Sequence, residues 1–278
     1  KELQQKAKIY EKKSDILNIT KTIISGIWFL TFYFFGFSEI ISSYAVGFSM
    51  PLSVLIYMAS LSFPIVVVLF PIDYLKDFKL EKSFNLSTQS VKSWLFDALK
   101  GFLLSFILGY PIILLLFYLF IKIPEYWWIF TTGGLFLFQI FLTAIFPVIL
   151  LPIFFRQRKI KDENLIKQIE NLFSREAIKI KGIYSINLSS KTKKENAALT
   201  GLFNTRRVLL GDTLLENRSA DEIICTLAHE LGHHKKRDIL KLTLIQLFTS
   251  FLIFFVLNEI MHHFPGFTAN LNATFTLF

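Results

Sequence analysis

Cysteine is nearly absent from this 278-residue chain. Cys225 stands alone, so no internal disulfide can form, and a zinc site built from cysteines is excluded. Its place in an apolar helical pattern suits a small buried side chain. Charge is also scarce. Asp, Glu, Lys and Arg make up 18% of the residues, against about a quarter in soluble domains, which argues against a water-soluble globule. There is no internal repeat and no low-complexity linker. Clustered arginines interleaved with aromatics are missing, so the net charge of +9 does not mark a nucleic-acid surface. The first apolar run starts late, lacks a small-residue cleavage site and is flanked by lysines, which excludes a cleavable signal peptide.

Apolar residues are abundant instead. They form 53% of the chain, including 32 phenylalanines, and mean hydropathy is +0.50. A membrane helix needs roughly 20 apolar residues. Runs of that kind lie at 22–38, within 40–72 (centred on 52–70), at 101–121, at 126–155 and, at the short limit, at 242–257. The chain reads as a multi-pass membrane protein with about five spans. Lysines crowd the segment before the first span, the loop between the second and third, and 156–241, whereas the links at 42–50 and 122–125 are nearly free of them. The positive-inside rule puts the three basic segments in the cytoplasm. The expected organisation is a cytoplasmic N-terminal segment at 1–21, a membrane domain at 22–155, a cytoplasmic domain at 156–241, and a further span with its tail at 242–278. Both ends read as incomplete, since the chain opens on Lys1 and stops at Phe278 shortly after a span.

The densest chemistry lies in His229-Glu-Leu-Gly-His233, an H-E-x-x-H pattern. On a helix, residues four apart share a face, so both histidines reach one metal ion while Glu230 stands beside it as a general base. The helix has its own signals. Ser219-Ala-Asp-Glu222 is a capping box. Ile223, Ile224, Leu227 and Leu231 form an apolar stripe, and Lys235, Lys236 and Arg237 suit the negative end of the helix dipole. Upstream, Leu165, Ile166, Ile169, Leu172 and Phe173 predict an amphipathic helix over 162–173. Residues 183–188 read as a strand, and 197–203 and 206–210 as a hairpin turning at Asn204-Thr205. The order predicts a small α+β unit with the hairpin beside the metal helix. A peptide could add itself to the hairpin's free edge, or the hairpin could be purely structural; spacing leaves both open.

These residues resemble a known family. Asn196-Ala-Ala-Leu-Thr-Gly201, then Arg206-Arg-Val-Leu-Leu-Gly-Asp212-Thr-Leu-Leu215, then Asp221-Glu222, then Ala228-His-Glu-Leu-Gly-His233, are similar to the Ste24-type CAAX prenyl protease branch of the M48 zinc metallopeptidases. HtpX-type proteases share part of the pattern but usually reach it after fewer spans. The resemblance implies a mainly α multi-span bundle with a small α+β zincin-like domain. It further implies one Zn2+ held by His229 and His233, Glu230 as catalytic glutamate, and Asn196 and Ala197 at a substrate-binding edge strand. Asp238 would play a supporting part near the motif. The implied partners are the bilayer and a prenylated or hydrophobic peptide, with membrane-protein quality control or a non-catalytic metal site as the alternatives. The third ligand would be a glutamate on a later helix, which no residue of this chain matches. Glu259, His262 and His263 lie beyond the last span and are read as interfacial residues.

Overall fold

The computed structural model describes residues 2–45, 47–202 and 205–263. It is mostly helical. Among those residues five helices are long and apolar enough to cross a membrane: Gln4–Phe34, Met50–Ser83, Val91–Lys122, Trp127–Phe154 and Asp238–His263. Each overlaps one of the apolar runs, and most extend beyond it at one end or both, because Lys, Glu and Gln at the ends continue a backbone ladder that is already nucleated. The last span also lengthens: helix starts at Asp238 rather than at 242. The first span ends earlier than the hydropathy suggests. Helix α1 (Glu2–Phe34) stops before Gly36, whose φ of +75° is a conformation that glycine reaches without penalty, and α2 (Phe37–Ala45) follows as a separate short helix.

Helix α3 (Met50–Asp73) contains Pro64 and Pro71, each of which removes one ladder donor, and it widens into a π-helical stretch at Tyr74–Leu80. Helices α4 (Val91–Lys122) and α5 (Trp127–Ile145) follow. The second of these also runs into a π-helical stretch, Phe146–Leu150, at Pro147. Contacts divide the chain into two units: Lys1–Asn85, Gly101–Trp128 and Phe255–Phe278 form one, and Leu86–Lys100 with Ile129–Phe254 form the other. In the first, polar groups that would be costly in hydrocarbon are paired. Trp28 Nε1 donates to the Leu61 carbonyl at 2.8 Å, Trp127 Nε1 donates to Asn258 Oδ1 at 3.1 Å, and Lys21 pairs with Asp73.

The second unit holds a four-stranded sheet in the order β1-β2-β4-β3. Strands β1 (Gln157–Lys159) and β2 (Ile183–Ile186) are antiparallel, β2 and β4 (Arg207–Gly211) are parallel, and β3 (Ala197–Thr200) closes the sheet antiparallel to β4. The expected strand over 197–203 ends at Thr200, before Gly201 at φ +88°; Phe203 and Asn204 lie outside the described residues. The strand expected over 183–188 ends at Ile186, and Leu188 begins a single 3-10 turn.

Alternation along β4 sorts its side chains. Val208 and Leu210 face a core shared with Ile183, Ala197 and two helices, α6 (Glu163–Arg175) and α8 (Ala220–Lys235); a short helix, α7 (Asp212–Asn217), precedes α8. Leu209 faces the other way, toward Leu151 and Phe155 at the end of the fourth membrane helix. Helix α6 contributes Leu165, Ile169 and Phe173, the amphipathic face expected from its spacing. Two further ties run from this sheet to the neighbouring segments. Gln157 Nε2 donates to the Pro147 carbonyl at 2.8 Å, and residues 86–88 pair with 189–193 through a bridge between Ser87 and Thr192. Within the membrane portion of the unit, Gln139 Nε2 on α5 donates to Gln246 Oε1 on α9 (Asp238–His263) at 2.9 Å.

Two stability outcomes follow from this packing. Leu227 is wholly buried in the shared core, so Leu227→Ala is expected to cost about 2–5 kcal/mol, read as a lowered unfolding midpoint of the purified protein. Replacing Gln139 by leucine leaves Gln246 without its partner and is expected to cost about 0.6–1.7 kcal/mol, measurable by unfolding in detergent; an unchanged midpoint would mean the pair is not formed.

Candidate active site

Helix α8 carries the motif and begins as its sequence demands. Ser219 Oγ accepts from the Glu222 N–H at 3.4 Å, and Glu222 Oε2 accepts from the Ser219 N–H at 2.8 Å. The Ser219 N–H first, and then the Ser219 hydroxyl, which donates to the same Oε2 at 2.9 Å, hold the Glu222 carboxyl below its usual range. With the start set, the 3.6-residue period decides the faces. Ile223, Leu227 and Leu231 are buried against the sheet, and His229 and His233 emerge on the exposed side.

The two imidazoles converge. Their Nε2 atoms are 3.2 Å apart. One tetrahedral ion at about 2.0–2.1 Å from each nitrogen requires about 3.3 Å between them, so the pair fits a single Zn2+. His233 Nδ1–H donates to Asp238 Oδ2 at 2.9 Å. That bond fixes the tautomer which leaves Nε2 free, the usual support of a ligating histidine. Asp238 is thereby assigned a role that the sequence left open. Among the described residues no group of three His, Cys, Asp or Glu gathers to hold a metal. His263 lies 3.7 Å from Glu259 in its own helix.

Glu230 is half-buried one residue along the helix, and its carboxylate has no partner among the described residues. It lines a cleft of about 530 Å3 together with His229, Asn196, Ala197, Cys225 and Thr226. The sheet order makes β3 an edge strand. The Asn196 carbonyl accepts from the Gly211 N–H at 2.9 Å, so the antiparallel alternation turns the backbone N–H and C=O of Ala197 and Leu199 away from β4, toward the open edge. Thus the residues singled out from the sequence, His229, Glu230, Asn196 and Ala197, border one cleft, with His233 one turn beyond His229.

Cys225 departs from expectation. It is exposed in the cleft rather than buried, because it lies four residues before His229 and shares that face of the helix. His234, next to the motif, turns away. It lines a separate cavity of about 510 Å3 with Leu199, Gly201 and Thr243, where burial, and then the charge of Arg206, lower its pKa. Sequence reasoning passed over Arg218 and Glu195, which also border the cleft. The spacing of Arg218 and Glu222 by four residues was the available signal.

Comparison with known proteins identifies the family. Residues 1–156 match the family described as CAAX prenyl protease N-terminal, five membrane helices, and residues 159–277 match peptidase family M48. CAAX prenyl protease 1 of Saccharomyces cerevisiae is 34% identical over 191 residues, which are 68% of this chain and 42% of that protein. The CAAX prenyl protease 1 homolog of Arabidopsis thaliana is 30% identical over 166 residues, 59% of this chain and 39% of the relative. The crystal structure of S. mikatae Ste24p superposes with a TM-score of 0.83 at 30% identity, covering 97% of this chain and 63% of that one. The chain thus spans about two fifths of the length of the curated relatives it matches. Apolar helices, the sheet with its open edge and the matches over both parts of the sequence lead to one conclusion: the chain belongs to the CAAX prenyl protease branch of peptidase family M48.

Proposed function

We propose that this protein is a zinc-dependent membrane endopeptidase whose site faces the cytoplasm and cleaves membrane-associated or prenylated polypeptides. The observation that carries the reading is a single cleft holding an imidazole of the convergent pair, a carboxylate without a partner among the described residues, and the edge strand β3. Zinc held by His229 and His233 would supply a Lewis acid that polarises a carbonyl and acidifies water. The set of ligands would be completed by the family's glutamate from a later helix, in a chain as long as its relatives.

The remaining steps belong to the protein. A peptide would pair with the outward N–H and C=O of Ala197 and Leu199 as an added strand, which aligns its backbone without regard to side chains. The Asn196 amide, exposed in the same cleft, would fix one of its carbonyls. Glu230 would take the proton of the attacking water and return it to the leaving amine. Asp238 would hold the His233 ring in its ligating tautomer. Apolar side chains exposed on the spans, such as Phe34, Ile245 and Phe248, suit contact with acyl chains and the lateral approach of a lipid-modified substrate. The lysine-rich N-terminus and the segment 156–241 support the cytoplasmic orientation. The contact of residues 86–88 with 189–193 likewise favours one common side for the loop between the second and third spans and the segment 156–241.

Glu230→Gln in the full-length protein is expected to keep stoichiometric zinc and lose about 10²–10⁴-fold in peptidase rate, since glutamine cannot accept the proton. Cleavage at the wild-type rate would remove Glu230 from the role of base. His229→Ala and His233→Ala are expected to lose zinc, by elemental analysis, with the membrane helices intact by circular dichroism. For topology, single cysteines near Lys13 and Lys161 in a Cys225→Ser background are expected to label from the same side of sealed vesicles. Labelling from opposite sides would mean that the positive-inside assignment is wrong.

A further inference from the structure

The loop that leads into the edge strand, Lys194-Glu195-Asn196, borders the cleft on one side, and the first turn of α8 borders it on the other. Arg218, at the joint between α7 and α8, reaches both. Its Nε donates to Glu195 Oε2 at 2.7 Å, and its Nη1 donates to Glu222 Oε1 at 3.1 Å. The two carboxylates push the guanidinium pKa up, the bond to Glu195 contributing most. Both anchors are themselves held. Glu222 closes the capping box through its other oxygen. The loop is pinned on either side of Glu195: Thr213 Oγ1 donates to the Lys194 carbonyl at 2.9 Å, and the Gly211 N–H donates to that of Asn196, also at 2.9 Å. An isolated exposed ion pair contributes little. A planar guanidinium forked between two restrained carboxylates instead fixes a distance.

We propose that Arg218 is a positioning residue: by bridging Glu195 to Glu222 it sets the gap between the edge strand and the motif helix. A chain paired along β3 is thereby held over His229 and Glu230. This rests on the peptidase reading above. Glu222 precedes His229 by seven residues, roughly 10 Å along a helix, or about three residues of extended peptide. The bridge therefore acts on how the substrate chain is seated, several residues from the reacting bond, and does not touch the proton transfers of Glu230. Its signature is in KM rather than in kcat.

In the full-length zinc-loaded enzyme with a peptide substrate, Arg218→Gln is expected to raise KM roughly two- to fivefold, with kcat and zinc content unchanged. Glu195→Gln should produce the same rise, and the double variant no more than either alone. Arg218→Lys, which reaches one carboxylate but cannot fork between two, should fall between. Added salt should move the wild-type KM toward that of the variants and leave the double variant where it is. A wild-type KM in Arg218→Gln overturns the proposal, as do additive effects in the double variant. A lowered KM in Glu195→Gln also overturns it, because Arg218 would then be contacting substrate directly once released. Hydrogen exchange gives a reading independent of activity: the amides of Ala198 and Thr200, which face β4 in the ladder, should exchange faster in Arg218→Gln, and unchanged exchange rejects the bridge. If the wild type cleaves without needing Glu230, the peptidase mechanism fails while the exchange result still decides the bridge.

Discussion

The burial of one stripe of helix α8 against the sheet is the contact on which the rest of the site depends. Ile223, Leu227 and Leu231 pack into the core made by Ala197, Val208 and Leu210. Because the helical period is 3.6, burying those three turns His229 and His233 outward. Leu227, two residues before His229, is wholly enclosed. A rotation of the helix by one residue would expose about half of that stripe and swing the imidazoles away from the cleft. The hydrophobic effect, which is non-directional, becomes directional here through the backbone geometry that carries it.

The same core fixes the other wall of the cleft. Ala197 is buried beneath α8 while its backbone belongs to an edge strand, so one residue joins the core to the open side of the sheet. An unpaired edge is normally a liability that proteins shorten or cover. Strand β3 is four residues long and ends at Thr200, before Gly201, where an added Cβ would come within 2.5 Å of the Thr205 carbonyl oxygen. A substitution there would disturb the end of the strand. Length and placement together give room for one short extended peptide.

The membrane helices obey a different solvent. Their apolar side chains remain exposed over most of their length, whereas several of their polar groups find partners, as with Trp127 and Asn258 or Gln139 and Gln246. Where the fourth span ends, Pro147 interrupts the ladder, and its carbonyl is taken up by Gln157 at the start of the sheet. In this way a backbone carbonyl of the π-helical stretch anchors the first strand of the α+β unit to the helix that precedes it.

Much of this was legible before any coordinates. The five spans, the capping box, the amphipathic face of α6 and the pairing of His229 with His233 depend on neighbours within one or two helical turns, and such rules are local. What the sequence left open depends on partners far along the chain. Strand β1 is three residues long with no alternation of its own, and it exists because β2 pairs with it. That β3, rather than β4, is the edge strand follows from the parallel pairing of β2 with β4. Cys225 was expected inside, because its apolar neighbours suggested so, and only the direction in which α8 packs put it in the cleft. The bond from Arg218 to Glu195 spans 23 positions. Local periodicity thus determined the elements and which residues share a face, while the tertiary structure decided which faces meet, because that choice is made by burial across the whole domain.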